Sequence, residues 1–245
     1  MSEYQPRDGL GLFAKYAFMP NFLGYCGGPV SAGVLEACAE PEALPELNGW
    51  ARQFEGAYPY LALIAAANRF ADPLDYRVVE AYWLGNELLA GVRLAPWYDS
   101  LRERFAPRLS PKALDLILGK VPEGAAPFHA FHVLELCRRT GALAESLDTL
   151  DQCRISWGRV LSVTDRDVEV AVQPLAFIQG RLSLAPEQAR RVARKIQGRG
   201  FVEEARPGGW VSIHWNWACD RLTERQLSNL RRHTLRHLAL ANQTL

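Results

Sequence analysis

The hydrophobic pattern divides the chain into two halves with different periods. Over the first 150 residues, apolar side chains recur in short runs at the three-to-four-residue spacing of an amphipathic α-helix. Turn residues, chiefly Gly and Pro, separate these runs. The sequence therefore predicts helices over residues 30–39, 43–54, 58–70, 113–118, 127–136 and 142–150, and another that carries Val78, Val79, Tyr82 and Trp83.

Proline-containing dipeptides mark three of the predicted helix starts. Asp72-Pro73 and Ser110-Pro111 each combine an N-capping side chain with a proline in the first helical turn. Pro29 takes the same position ahead of the run at 30–39. This half of the chain is therefore predicted to be all α-helical.

After residue 151, apolar side chains recur at every second position. Val168, Val170 and Val172 alternate with charged or small residues, which indicates a half-buried β-strand over 167–172. Similar features predict strands over residues 154–163, 181–184 and 210–215. Residues 186–200 fit either a short helix or a strand.

A capping box opens the last element. Gln226 follows Thr223 by three residues, and the apolar pattern after them predicts a helix to about Ala241. We therefore predict an α+β fold. An all-α domain covers residues 1–150, and a small antiparallel β-barrel of the OB-like kind, closed by a C-terminal helix, covers residues 151–245.

Composition narrows the function classes. The chain has 28 basic and 27 acidic residues among 245, and this balance does not suggest a nucleic-acid-binding protein. No apolar run approaches the roughly 20 residues that a membrane-spanning helix needs. The N-terminus lacks the features of a signal peptide, so we expect a cytoplasmic protein whose cysteines are reduced. The five cysteines form no Cys-x-x-Cys pair: 26, 38, 137, 153 and 219.

Two stretches of the second half carry a family resemblance. Residues 153–160, Cys-Arg-Ile-Ser-Trp-Gly-Arg-Val, resemble the opening Cys-x-x-x-Gly-x-Val strand of the HypC/HybG/HupF chaperones of [NiFe]-hydrogenase maturation. Residues 209–218, Gly-Trp-Val-Ser-Ile-His-Trp-Asn-Trp-Ala, are similar to the histidine-containing signature of the same family. Residues 180–184 resemble the central strand of that family, and the match covers roughly 151–235.

The resemblance implies a specific chemistry. It implies that Cys153 as a thiolate and His214 as a neutral imidazole hold an iron that carries cyanide and carbonyl ligands, an Fe(CN)2CO unit. It also implies partners, namely a HypD-like assembly protein and the hydrogenase large subunit. Thiolate and imidazole suit such an iron. Arg154 follows the cysteine directly, and we expect it to lower the pKa of the thiol.

The helical half supplies further candidates. Cys26, Gly27 and Gly28 precede a predicted helix start, where free amides and the helix dipole favour an anion or a thiolate. The alternative is a tight turn with a buried cysteine. His129 and His132 lie one helical turn apart, as paired metal ligands do, although such a spacing also arises by chance.

The helical half also resembles an uncharacterised bacterial family. Its recurring motifs correspond to residues 21–29, 80–88 and 128–133. Members of that family accompany [NiFe]-hydrogenase genes, which agrees with the resemblance of the second half.

Three functional hypotheses follow. The first is an accessory or maturation protein of [NiFe] hydrogenase that acts as a scaffold or iron carrier without turning over a substrate. The second is a cysteine-dependent enzyme in which Cys26 is the nucleophile and His129 or His132 the base. The third is a non-catalytic protein-interaction module with buried thiols.

Overall fold

The computed structural model describes residues 8–27, 44–140 and 146–245. The predicted helix over 30–39 therefore lies outside the described residues. Helices dominate the first part of the chain, and strands followed by one long helix form the rest. The helices are α1 (Gly9–Phe22), α2 (Leu44–Gln53), α3 (Tyr58–Ala67), α4 (Tyr76–Trp83), α5 (Leu94–Phe105), α6 (Pro111–Leu118), α7 (His129–Phe131, continued by His132–Cys137 and Arg138–Thr140), α8 (Leu147–Cys153) and α9 (Glu224–Ala241), with a 3-10 turn at Glu87–Gly91.

The structure confirms α2, α3, α6 and α7 near their predicted positions and corrects one helix start. Asp75, not Asp72, caps α4, because its carboxylate accepts from the amide of Arg77 at 2.9 Å. The Asp72 carboxylate instead accepts from the amide of Leu74 and forms a turn before the helix. Ser110 caps α6 as predicted, since its hydroxyl accepts from the amide of Ala113.

Helix α1 was not predicted, and its burial explains why. Phe13, Tyr16 and Phe18 are each at most 1% exposed, and most other residues of this helix are buried as well. A helix surrounded by protein needs no polar face, so its sequence lacks an amphipathic period. Pro20 inside the helix further weakens the sequence signal.

The strands of the second part form one curled sheet and one hairpin. They are β1 (Ser156–Val163), β2 (Asp167–Val172), β3 (Leu175–Ile178), β4 (Arg181–Leu184), β5 (Gln188–Ala193), β6 (Trp210–His214) and β7 (Trp217–Leu222). The ambiguous stretch at 186–200 thus contains a strand. Strands β3 and β4 form the separate hairpin.

The curled sheet has the order β1-β2-β5-β7-β6, and β6 pairs back onto β1. Most neighbours form antiparallel ladders. The join between β5 and β7 consists of one parallel pair, Ala193 with Trp217, so no full ladder closes the sheet there. The interior of the curl is filled mainly by valine side chains: Val160, Val168, Val170, Val172, Val192, Val202 and Val211.

The main hydrophobic core is shared by both parts of the chain. It joins residues of α1, α3 and α4 to Trp215 and Trp217 of the sheet and to Leu227 and Leu230 of α9. The predicted boundary at residue 150 falls inside α8. Helices and sheet therefore meet across a buried seam where a shared site can form.

The C-terminal helix ties the two parts together. Thr223 and Gln226 form the predicted capping box at the start of α9. The buried carboxylate of Glu80 in α4 accepts from Arg225 at 2.7 Å and from Gln226 at 2.9 Å. Among the described residues, no helix is long and apolar enough to span a bilayer.

Candidate metal centre

Three metal-binding side chains meet at the seam between helices and sheet. A ring nitrogen of His129, the sulfur of Cys153 and a ring nitrogen of His214 all lie within 4.8 Å of one another, and all three residues are buried. The structure thus brings the sequence-predicted pair, Cys153 and His214, together. It adds His129, which was predicted as a ligand in the helical half.

The site is assembled where two elements end side by side. Helix α8 ends at Cys153, and β6 ends at His214. The amide of Trp215 donates to the carbonyl of Gln152 at 2.7 Å, and this bond joins the hairpin turn to the end of α8. Trp215 and Asn216 have φ values of 54° and 55°, as a two-residue hairpin turn requires.

His214 presents an unused ring nitrogen to the site. Its Nδ1 donates to the carbonyl of Tyr16 at 2.7 Å, which leaves the lone pair on Nε2. Nε2 is buried and forms no hydrogen bond of ordinary geometry among the described residues, although the nearby backbone of Cys153 raises the pKa of the ring against the effect of burial. Burial lowers the pKa of this imidazole to about 4, so the ring is neutral at physiological pH. A buried nitrogen in this state fits a metal ligand.

His129 is oriented by bonds on both ring nitrogens. Its Nε2 lies 2.9 Å from the carbonyl oxygen of Cys153, which can only accept, and its Nδ1 lies 3.2 Å from the hydroxyl of Tyr82. Burial, reinforced by the nearby His214 and His132, lowers the pKa of His129 well below its ordinary value. A second neutral imidazole therefore borders the site, and one of its ring nitrogens must release its present hydrogen bond before it can bind a metal ion.

Cys153 is a protonated thiol in the metal-free protein, which corrects the prediction about Arg154. Burial raises the pKa of Cys153 well above its ordinary value, and the nearby thiols of Cys137 and Cys26 raise it further. Arg154 does not lower it, because its guanidinium pairs with Asp151 at 2.8 Å and donates to the Gln173 carbonyl. A metal ion must therefore displace the thiol proton.

A π-helical turn brings two more donors to the same place. Residues His132–Cys137 of α7 are π-helical, and hydrogen bonds in such a turn join residues five apart. His132 and Cys137 consequently lie one turn apart, and both line the cavity beside His129. The Nδ1 of His132 lies 2.9 Å from the hydroxyl of Tyr60. His132 is thus near the three-donor group without belonging to it.

Cys26 lines the same cavity, and its predicted chemistry needs correction. Burial raises the pKa of the Cys26 thiol, which is opposite to the predicted stabilisation of a thiolate. Gly27 has a φ of 86° and continues the turn after α1, whereas Gly28 lies outside the described residues. The structure therefore offers Cys26 as a neutral thiol donor and gives no support to an activated nucleophile.

The three donors open onto a small apolar cavity of about 70 Å³. It is lined by sulfur and imidazole groups together with Tyr82, Trp83 and Phe54. A larger groove of about 920 Å³ adjoins it and carries Arg104 and Arg108. The groove and the cavity share lining residues, so only a few side chains separate them.

The spacing of the donors fits a metal ion after a small adjustment. Ligand atoms around a tetrahedral ion with bonds of about 2.0–2.3 Å lie about 3.3–3.8 Å apart. The present donors lie within 4.8 Å, so they must close by up to about 1 Å. The donor set, one thiol and two imidazoles, suits a soft or borderline transition metal.

Sequence reasoning missed the residues that shape this site. Tyr16 and Tyr82 orient the two imidazoles, but each lies far along the chain from the histidine that it contacts. Cys137 reaches the cavity through a π-helical turn that leaves no recognisable period. Trp215 bonds to the end of α8 through its backbone amide, for which any residue type would serve.

Comparison with known proteins gives one match. The model of a family of unknown function, DUF6390, matches residues 5–245 of the chain and so spans helices and sheet as one unit. No curated protein and no solved structure matches the chain. Because the match covers nearly its whole length, the chain belongs to the DUF6390 family.

Proposed function

We propose that this chain binds a transition-metal ion through His129, Cys153 and His214 and serves as an accessory protein in [NiFe]-hydrogenase maturation. The observation that carries the proposal is the meeting of the three donor atoms, within 4.8 Å, at a buried cavity. The Nε2 of His214, which is buried without a partner among the described residues, gains a partner when a metal ion binds.

The donor set and the family resemblance together favour iron. One thiolate and two neutral imidazoles suit soft or borderline ions, whereas magnesium and calcium prefer oxygen ligands. Among the soft and borderline ions, iron is favoured by the resemblance of residues 153–160 and 209–218 to the HypC/HybG/HupF chaperones. The iron would be carried as cargo, in the form of the Fe(CN)2CO unit. Imidazole Nε2 of His214 and the sulfur of Cys153 would then be the principal ligands.

The proposed role is that of a carrier or scaffold in the cytoplasm. The curled sheet, whose sequence resembles the HypC-like chaperones, would dock on a HypD-like assembly protein or on the hydrogenase large subunit. The helical part would complete the metal site through His129. No substrate is turned over in this role, and the raised thiol pKa values argue against an activated cysteine nucleophile.

The test is metal analysis after anaerobic co-expression with the hydrogenase-assembly proteins. We expect the purified protein to carry iron, and we expect the double variant Cys153→Ala, His214→Ala to lose most of it. The matched control is the double variant Cys219→Ala, His233→Ala, which removes a buried cysteine and a largely buried histidine outside the three-donor group. Iron content that is unchanged in the Cys153, His214 variant refutes the carrier role.

Copurification tests the partner separately. The chain is isolated from its native host under anaerobic conditions, and bound proteins are identified. A hydrogenase-assembly protein or the large subunit is the expected partner. Metal binding without either partner would support the site and contradict the maturation role.

A further inference from the structure

Two neighbouring spaces lie between solvent and the three-donor site. The groove of about 920 Å³ and the cavity of about 70 Å³ share five lining residues, which form the boundary between them, the neck. The neck residues are Tyr25, Cys26, Gly56, His132 and Cys137. An ion that moved from the groove to Cys153 would pass among these side chains.

The neck itself carries metal donors. Cys26 and Cys137 supply sulfur and His132 supplies imidazole, which are the same donor types as those of the three-donor group. Farther in, the unpartnered Nε2 of His214, whose residue is 1% exposed, marks the destination of an ion. Donors thus follow one another from the groove to the buried site.

Metal donors placed one after another along this route reduce the cost of removing water from an entering metal ion. A hydrated metal ion that entered an apolar cavity directly would lose its water before it gained protein ligands, which is costly. If a thiolate replaces one water at the neck, part of that cost is offset before the ion moves inward. Stepwise exchange of ligands therefore lowers the barrier to loading and to release.

Cys26 is the neck donor best placed to meet an incoming ion. It is half-buried and follows Tyr25, which is 49% exposed, whereas Cys137 is 7% exposed and held within α7. Asn21 donates to the carbonyl of Cys26 at 2.9 Å and so holds its backbone while the side chain remains on the path. Tyr25 also stacks on Trp215 at 4.0 Å, directly beside the buried site.

We propose that Cys26 is the exchange thiol through which a metal ion passes between the groove and the site formed by His129, Cys153 and His214. The inference rests on the proposed metal-binding function. On loading, the sulfur of Cys26 binds the ion and releases its proton to solvent. The bond to the Cys153 sulfur then forms as that thiol loses its proton, and the bond to Cys26 breaks as Cys26 is protonated again. The charge of the ion does not change.

The test measures the rate of loading and the equilibrium affinity in the same protein. Cobalt(II) alone is mixed with the reduced, full-length chain in a stopped-flow instrument, and thiolate-to-cobalt absorption is followed. We expect Cys26→Ala to load about tenfold more slowly or worse, with an affinity within about threefold of the parent, because only a transient ligand is lost. Cys219→Ala, which removes a buried thiol outside the cavity lining, should load at the parent rate.

The outcomes separate the two proposals. Loading of Cys26→Ala at the parent rate refutes the exchange role alone. A loss of affinity in Cys26→Ala as large as that in Cys153→Ala also refutes it, because Cys26 would then be a permanent ligand. Failure of the unchanged protein to bind cobalt, zinc or iron refutes the metal site itself and the exchange role with it.

Discussion

The Nδ1–H of His214 donates to the main-chain carbonyl of Tyr16 at 2.7 Å, across 198 positions of sequence. This bond holds the imidazole at the end of β6 against α1, which comes from the other end of the chain. It also determines which ring nitrogen faces Cys153 and His129. The geometry of the candidate metal centre therefore depends on the packing of α1 against β6.

The affinity of the site for metal should rise steeply with pH. Cys153 is protonated in the free protein, whereas burial keeps His129 and His214 neutral, with the pKa of His214 at about 4. Binding therefore releases one proton, and affinity should increase about tenfold per pH unit between about pH 5 and 8. Competition titrations of zinc at several pH values measure this slope. A flat profile contradicts the assignment of a protonated Cys153 as ligand.

Acid should destabilise the fold because several histidines are buried as neutral groups. Burial lowers the pKa of His214, His233 and His237 to about 4 and that of His132 to about 3. The unfolded chain binds protons to these groups below about pH 6.5, and the folded chain does not. Stability is therefore complete above pH 6.5 and falls as the pH is lowered from there towards 4. Urea denaturation between pH 7 and 5 measures the loss.

The contribution of a single histidine to the loss of stability in acid can be measured at His237. Its Nε2 accepts from the amide of Ala126 at 3.2 Å, so protonation breaks a buried hydrogen bond. One such histidine accounts for about 2 kcal/mol of the loss at pH 5. His237→Gln should lower stability at pH 7 and reduce the dependence on pH. An unchanged dependence on pH in this variant contradicts the assignment.

The buried carboxylate of Glu80 should be important for stability. It is 2% exposed and accepts from Arg225, Gln226 and, at 3.2 Å, Asn86. Glu80→Ala leaves these donors without their acceptor, and we expect it to lower the free energy of unfolding by about 2–4 kcal/mol. Thermal or urea denaturation measures the effect.

The exposed pair Asp99–Arg102 is the control for Glu80. Its atoms lie 3.0 Å apart, but both side chains are more than half exposed. Asp99→Ala should change the free energy of unfolding by less than about 0.5 kcal/mol. Equal effects of the two substitutions would show that burial does not distinguish the two carboxylates.

Two glycines should respond in opposite directions to the same substitution. A Cβ at Gly158 in β1 would lie 2.7 Å from the Cβ of Val170 and 3.1 Å from the Cδ1 of Ile213. Gly158→Ala should therefore destabilise the curled sheet by about 1–3 kcal/mol.

Gly49 is the control position for Gly158. It lies in α2, and a Cβ there meets no atom of the described residues within 4 Å. Gly49→Ala should stabilise the protein by about 0.5–1 kcal/mol, because alanine favours the helix and restricts the unfolded chain. Denaturation midpoints of both variants provide the measurement, and a destabilised Gly49→Ala contradicts the open environment.

The sequence analysis predicted several amphipathic elements but missed α5 and β3, and it missed elements that are largely buried. Thr223 and Gln226 mark the start of α9 because capping is local chemistry. Strand β7 was missed because consecutive residues at its start are all buried, so the pattern of Trp217–Leu222 does not alternate. Helix α1 was missed for the same physical reason.

The candidate site was predicted in part. Cys153 and His214 were singled out because their surroundings resemble a known family, and they do lie together. His129 was predicted as a ligand of a separate site with His132, because spacing along one helix cannot reveal which distant segment packs on it. The contact of His129 with the Cys153 carbonyl depends on that tertiary packing.

The position of the donors along the chain has a consequence for biosynthesis. His129, Cys153 and His214 come from α7, from the end of α8 and from the end of β6, and the orienting carbonyl comes from α1. A nascent chain that has not yet released β6 from the ribosome lacks the second imidazole. If the chain binds a metal ion as proposed, capture of the ion would be postponed until β6 has been made, and occupancy would report that the helices and the sheet have packed together.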